Sequence, residues 1–85
     1  MYEVYLERSA ENDLKRLTPS LFHRIIPHIK TLVRNPRPPG CKKIEGSIND
    51  WRIRIGDYRI IYEVDDEAKA VRVMRVRHRR EVYRR

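Results

Sequence analysis

An 85-residue chain leaves room for one domain over residues 1–85 and excludes a second core. Its 20 Lys and Arg against 12 Asp and Glu give a net charge of +8 and a pI near 10.2, and 15 of those 20 cations are arginine, whose planar fork matches phosphate, so nucleic acid or an acidic protein is the expected partner. The lone Cys41 excludes an internal disulfide, no apolar run approaches the roughly 20 residues of a membrane span, and Glu3, Glu7, Glu11 and Asp13 are wrong for a secretory signal, so a soluble cytoplasmic protein is expected.

Met1 to Leu6 alternates Tyr2, Val4 and Leu6 and predicts a first strand. Ser9 is the expected N-cap of a short amphipathic helix carrying Ala10, Leu14 and Leu17. Thr18-Pro19 then reads as a cap followed by Pro at the first helical position. From there Leu21, Phe22, Ile25, Ile26, Ile29, Leu32 and Val33 trace one wide apolar stripe. Pro27 falls inside it and costs about 3 kcal/mol unless the helix kinks there, so a bent helix is expected. Asn35-Pro36-Arg37-Pro38-Pro39-Gly40 cannot continue a helix and reads as an extended connector. Lys42 to Glu45 is a short strand ending at Gly46. Hairpin strands follow at 51–55 and 58–64, then a turn at Asp65-Asp66-Glu67, a last strand from Ala70 to Val76, and an arginine-rich tail. The order β-α-α-β-β-β predicts an α+β fold with two N-terminal helices packed on a twisted antiparallel sheet. One sheet face takes the helices and the other faces solvent or ligand.

The hairpin is the most informative stretch. Trp51, Ile53 and Ile55 point one way and Arg52 and Arg54 the other. A turn at Gly56-Asp57 pairs Ile55 with Tyr58 and Arg54 with Arg59, and sets Arg52 opposite Ile61. Like charges directly opposite each other destabilise a sheet. A fold does not need Arg54 facing Arg59; an anion does.

The tail extends this basic surface. Between residues 75 and 85, six arginines (Arg75, Arg77, Arg79, Arg80, Arg84, Arg85) face only Glu81, a net +5. In meander order the strand ending at Val76 lies beside the one carrying Arg59, so Arg75, Arg77 and Arg80 are expected near the hairpin arginines as RNA contacts. Tyr83 sits among them and is placed to stack on an unpaired base, worth roughly 1–3 kcal/mol. His78 is a candidate acid or base, imidazole being the side chain best suited to proton transfer at physiological pH. His23 and His28, five apart on the second helix, do not share a face, and one Cys with scattered His makes no zinc site. No metal and no cofactor are expected. The reaction that suits such a site is attack of an RNA 2′-hydroxyl on its neighbouring phosphorus, leaving a 2′,3′-cyclic phosphate and a free 5′-hydroxyl. Guanidinium donors hold the backbone and stabilise charge on the phosphorane.

With Gly56-Asp57-Tyr58-Arg59-Ile60-Ile61-Tyr62 and Arg79-Arg80-Glu81-Val82-Tyr83 in view, the chain resembles the RelE family of toxins, within the RelE/ParE superfamily. Asn35-Pro36 and Lys43-Ile44-Glu45-Gly46 add to the likeness, which covers essentially all 85 residues. The resemblance implies a RelE-like, microbial-RNase-type fold. It also implies a ribosome-dependent mRNA interferase that cuts in the ribosomal A site, contacts mRNA and rRNA there, and is neutralised by a partly acidic, RelB-like antitoxin. By position, Arg59 matches the family's phosphate-binding hairpin arginine and Tyr83 its base-stacking tyrosine. Arg79 best matches the C-terminal arginine that acts as transition-state stabiliser or acid, with Arg77 and Arg80 as alternatives. Arg52 and Arg54 stand where well-studied members carry lysines, one a proposed general base. Arginine does not serve as a base. Either His78 or Glu81 takes that role, or catalysis relies on positioning by the ribosome.

Two rival functions remain open on the sequence. One is the ParE branch, which poisons DNA gyrase by protein contact. The other is a non-catalytic RNA- or ribosome-binding module.

Overall fold

A computed structural model describes residues 1–80. In chain order the elements are β1 (Glu3–Leu6), α1 (Arg8–Lys15), α2 (Pro19–Thr31), β2 (Lys42–Lys43), β3 (Asp50–Ile55), β4 (Tyr58–Asp65) and β5 (Ala70–His78). The sheet runs in the order β1-β5-β4-β3-β2. From β2 to β5 every pairing is antiparallel, as the sequence predicts. β1 is the exception: it lies parallel to β5, with Glu3 opposite Ala70 and Leu6 opposite Val73. The sheet is therefore mixed. The reason is connectivity, because the two helices after β1 carry the chain to the far edge, where β2 begins. The meander then returns until β5 meets β1 running the same way.

The helix boundaries follow local chemistry, with one correction. Glu7, not Ser9, is the extended residue that caps α1, and its side chain makes no capping hydrogen bond. Ser9 lies in the first turn and its Oγ donates to the Met74 carbonyl at 2.7 Å. Thr18 caps α2 as predicted, its Oγ1 accepting from the Leu21 N–H at 3.3 Å, with Pro19 next. α2 continues through Pro27 to Thr31. The strand expected at 42–45 shrinks to two residues, whereas β5 runs on to His78.

The core lies between the helices and one sheet face. Ala10, Leu14, Ile25, Ile29 and Leu32 meet Ile53, Ile55, Ile60, Tyr62, Val64, Val71, Val73 and Val76. Trp51 and Tyr58 pack against this cluster, partly buried. Tyr62 is fully buried and donates its hydroxyl to the Pro36 carbonyl at 2.7 Å, tying the connector to the core. Nearby, Arg37 lies over the Trp51 ring and forms a bidentate pair with Asp66, which also accepts from the Tyr2 hydroxyl at 2.6 Å.

One irregularity shapes the opposite face. Between β4 and β5 the register shifts: Tyr62 faces Val73, but Ile61 faces Arg75. Met74 is thus an extra residue, a β-bulge. The residues of β5 that enter the core change from Val71 and Val73 to Val76 across it.

Candidate nucleic-acid interface

The hairpin has the predicted register. Ile55 faces Tyr58, Arg54 faces Arg59, and Arg52 faces Ile61. Gly56 in the turn has φ +59°, where a side chain is strained. The Arg24 guanidinium from α2 lies against it, so that a Cβ at residue 56 would sit 3.1 Å from Arg24 Nη2. Arg24 went unnoticed in the sequence because nothing local links α2 to this turn.

Arg59 also faces Arg77 on β5. Arg54, Arg59 and Arg77 therefore form a row across three strands, on the side away from the helices. Arg52 adds a fourth guanidinium on the same face, beside the row. Arg54 is exposed, Arg52 and Arg77 are half-buried, and Arg59 is only 4% exposed. The Arg59 Nη1 makes one long hydrogen bond to the Tyr58 carbonyl at 3.4 Å, and its Nε is buried with no hydrogen-bond partner. Among the described residues no carboxylate forms an ion pair with Arg59. A buried cation without its hydrogen bonds is costly, and two flanking cations increase that cost. An anion on this face removes both penalties together.

Arg79, the first residue after β5, lies against the hairpin turn. The Arg79 N–H donates to the Asp57 carbonyl at 2.7 Å, and Arg79 Nε lies 3.9 Å from the Asp57 carboxylate. Arg79 thus sits beside the hairpin turn, two residues along the chain from Arg77, with its side chain largely exposed. Arg80 is exposed, and its N–H donates to His78 Nδ1 at 3.2 Å.

Two expected members of the site are not brought to this face. His78 is opposite Tyr58, with the two rings edge to face at 5.4 Å. That register puts its side chain in the phase of Val76, on the helix side. Arg75 is held by α1: its Nε and Nη2 donate to Asp13 at 2.8 and 3.1 Å. Asp13 is 8% exposed and also accepts the Val76 N–H at 2.9 Å. Burial raises the Asp13 pKa, but the Arg75 guanidinium, the Val76 N–H and the field of Arg77 outweigh it, and the carboxyl ends below its ordinary value. Sequence reasoning missed Asp13 because its partners lie more than sixty residues away. Tyr83 and Glu81 lie outside the described residues. Among the described residues, no group of three His, Cys, Asp or Glu side chains could hold a metal ion.

Comparison with known proteins gives the class first: a family model described as "ParE toxin of type II toxin-antitoxin system, parDE" matches residues 4–83. The chain belongs to the RelE family within these RelE/ParE toxins. It is 32% identical to Toxin RelG of Mycobacterium tuberculosis, over 99% of this chain and 98% of that protein. Among solved structures, an archaeal RelE–RelB complex from Pyrococcus horikoshii matches with a TM-score of 0.81 at 26% identity, covering 92% of this chain and 94% of that one. The RelBE2 toxin–antitoxin complex from Mycobacterium tuberculosis matches with a TM-score of 0.80 at 29% identity, covering 91% and 96%.

Proposed function

We propose that this toxin is a ribosome-dependent endoribonuclease that cuts mRNA in the ribosomal A site. The observation that carries the reading is Arg59, a buried guanidinium set between two other arginines with its Nε lacking a partner. The scissile phosphate supplies the missing acceptor. Its non-bridging oxygens take Arg59 together with Arg54 or Arg77, and the charge that develops on the phosphorane strengthens those bonds in the transition state. Arg52, Arg79 and Arg80 track the flanking backbone, and Tyr83 stacks on a neighbouring base. The 2′-hydroxyl oxygen bonds to phosphorus as the P–O5′ bond breaks. The 2′-proton leaves to a base, and the departing 5′-oxygen takes a proton.

Neither Arg54 nor Arg59 can accept the 2′-proton. His78 lies in the helix-side phase with Nδ1 engaged. The reading therefore rests on in-line positioning by the arginine face and the ribosome, with Glu81 as the remaining side-chain base. Several solved relatives are complexes with antitoxins. A cognate, partly acidic antitoxin that covers the arginine face is the matching partner here, and its carboxylates supply an acceptor for Arg59.

Primer extension on mRNA in purified, programmed ribosomes tests this reading. Cuts confined to the A-site codon are expected for the wild-type protein, absent on free RNA and lost in Arg59→Ala. An intact message on and off the ribosome would refute it. The ParE description of the matching family model favours gyrase poisoning as the second reading. DNA damage on expression, with translation continuing, identifies that case.

A further inference from the structure

Past residue 73 the edge of β5 changes partner. Leu6 is the last β1 residue opposite β5, and the Glu7 N–H still donates to the Val73 carbonyl at 2.9 Å. Beyond that point the side chains of α1 take over the edge. Ser9 Oγ donates to the Met74 carbonyl, Asp13 Oδ2 accepts the Val76 N–H, and the same carboxylate receives two bonds from Arg75. Met74 to Val76 is the bulged stretch itself.

The bulge decides which face the following residues occupy. Strict alternation from Val71 and Val73 would turn residues 75 and 77 toward the helices and Val76 away from them. With Met74 extra the phase inverts, so that Val76 enters the core and Arg77 comes opposite Arg59. The apolar pattern demands one extra residue between Val73 and Val76 but does not say where it sits. A carboxylate beside this edge does, since its two oxygens accept the Val76 N–H and the Arg75 fork together. Ser9 fixes only a carbonyl.

We infer that Asp13 is a positioning residue for the arginine face: it clamps the β5 bulge from α1 and so fixes the register that sets Arg77 opposite Arg59. The consequence for catalysis rests on the nuclease reading; the register does not.

Deleting Met74 provides the test. The shortened strand alternates plainly through Val73, Arg75, Val76 and Arg77, which keeps Arg77 opposite Arg59 without a bulge to hold. The full-length toxin is made as Asp13→Ala and Asp13→Asn, each with and without that deletion. Nuclear Overhauser contacts between the Arg59 and Arg77 backbones report the register, and single-turnover cleavage on programmed ribosomes reports its consequence. Asp13→Ala is expected to lose the contacts and about 10–100-fold in cleavage rate at saturating ribosomes, with the half-saturating concentration nearly unchanged. Asp13→Asn, which keeps an acceptor for the Val76 N–H, loses less. Deleting Met74 restores both readouts in either background. Contacts retained in Asp13→Ala, or lost contacts that the deletion fails to restore, would overturn the inference. If Asp13→Ala does not fold alone, the doubly changed protein decides, and its failure to fold also overturns it. A wild-type protein that cleaves nothing sinks the nuclease reading and leaves the register contacts to judge Asp13.

Discussion

Arg54 and Arg59 stand directly opposite each other on β3 and β4, and the second of them is buried. The pair opposes folding, and its proposed role is to bind an anion. Replacing Arg59 by the similarly long, uncharged Met removes a buried cation and the repulsion on both sides of it. Arg59→Met is expected to raise stability by about 1 kcal/mol, or about 4–8 °C in melting midpoint, while abolishing A-site cleavage. Thermal melts beside primer extension check it. A destabilised variant would mean that Arg59 holds the fold together.

Arg54 stays protonated across the accessible pH range, so position 54 offers no titratable amine. Arg54→Lys is expected to add a general base. Its single-turnover cleavage should rise with pH until the lysine is deprotonated and exceed wild type by roughly tenfold or more on the plateau. An unchanged pH–rate profile would exclude residue 54 from proton transfer.

Asp66 fixes the acid behaviour of the far end of the sheet. The Arg37 fork first, then the Tyr2 hydroxyl, pull its carboxyl from an ordinary 3.8 down to about 2. A carboxyl depressed in the folded state stabilises fully above its unfolded value and loses that contribution as pH falls through its folded one. The wild type should therefore lose more stability between pH 4 and pH 2 than Asp66→Asn does. Denaturant titrations across that range give the comparison, and parallel curves would refute it.

The Tyr62 hydroxyl is the only partner that the core offers the Pro36 carbonyl among the described residues. Tyr62→Phe keeps the ring and leaves that carbonyl unsatisfied, at an expected cost of about 1–3 kcal/mol. Cleavage at the same fraction folded should be unchanged, because the residue faces the helices and not the arginines. A melting midpoint equal to wild type would show that water replaces the hydroxyl.

The hairpin was legible because its information is local. Apolar alternation, a Gly-Asp turn and a period of two fix which residues face each other, so the Arg54–Arg59 contact follows from twelve consecutive residues. The Thr18 cap was legible for the same reason. Long-range partners were not. Nothing near Arg75 announces that Asp13, 62 residues earlier, takes its fork, so it reads as one more arginine in a basic tail. Ser9 has a capping residue's chemistry but spends it on Met74. The parallel placement of β1 depends on where two helices deliver the chain. The bulge was visible only as two consecutive residues, Met74 and Arg75, that break the apolar alternation of the last strand. It inverts the phase of everything after it, so Arg77 comes opposite Arg59 while His78 lies in the phase of Val76.

At the edge far from β1, the sheet closes with Lys42 and Lys43, a strand of two exposed residues. A second copy adding antiparallel there would set lysine against lysine and find only two residues to pair with. For a small protein whose β-strands are its main architecture, that edge is a guard against self-assembly. On that side a second copy finds almost no free backbone to extend, so growth of the sheet stops where the chain itself stops pairing.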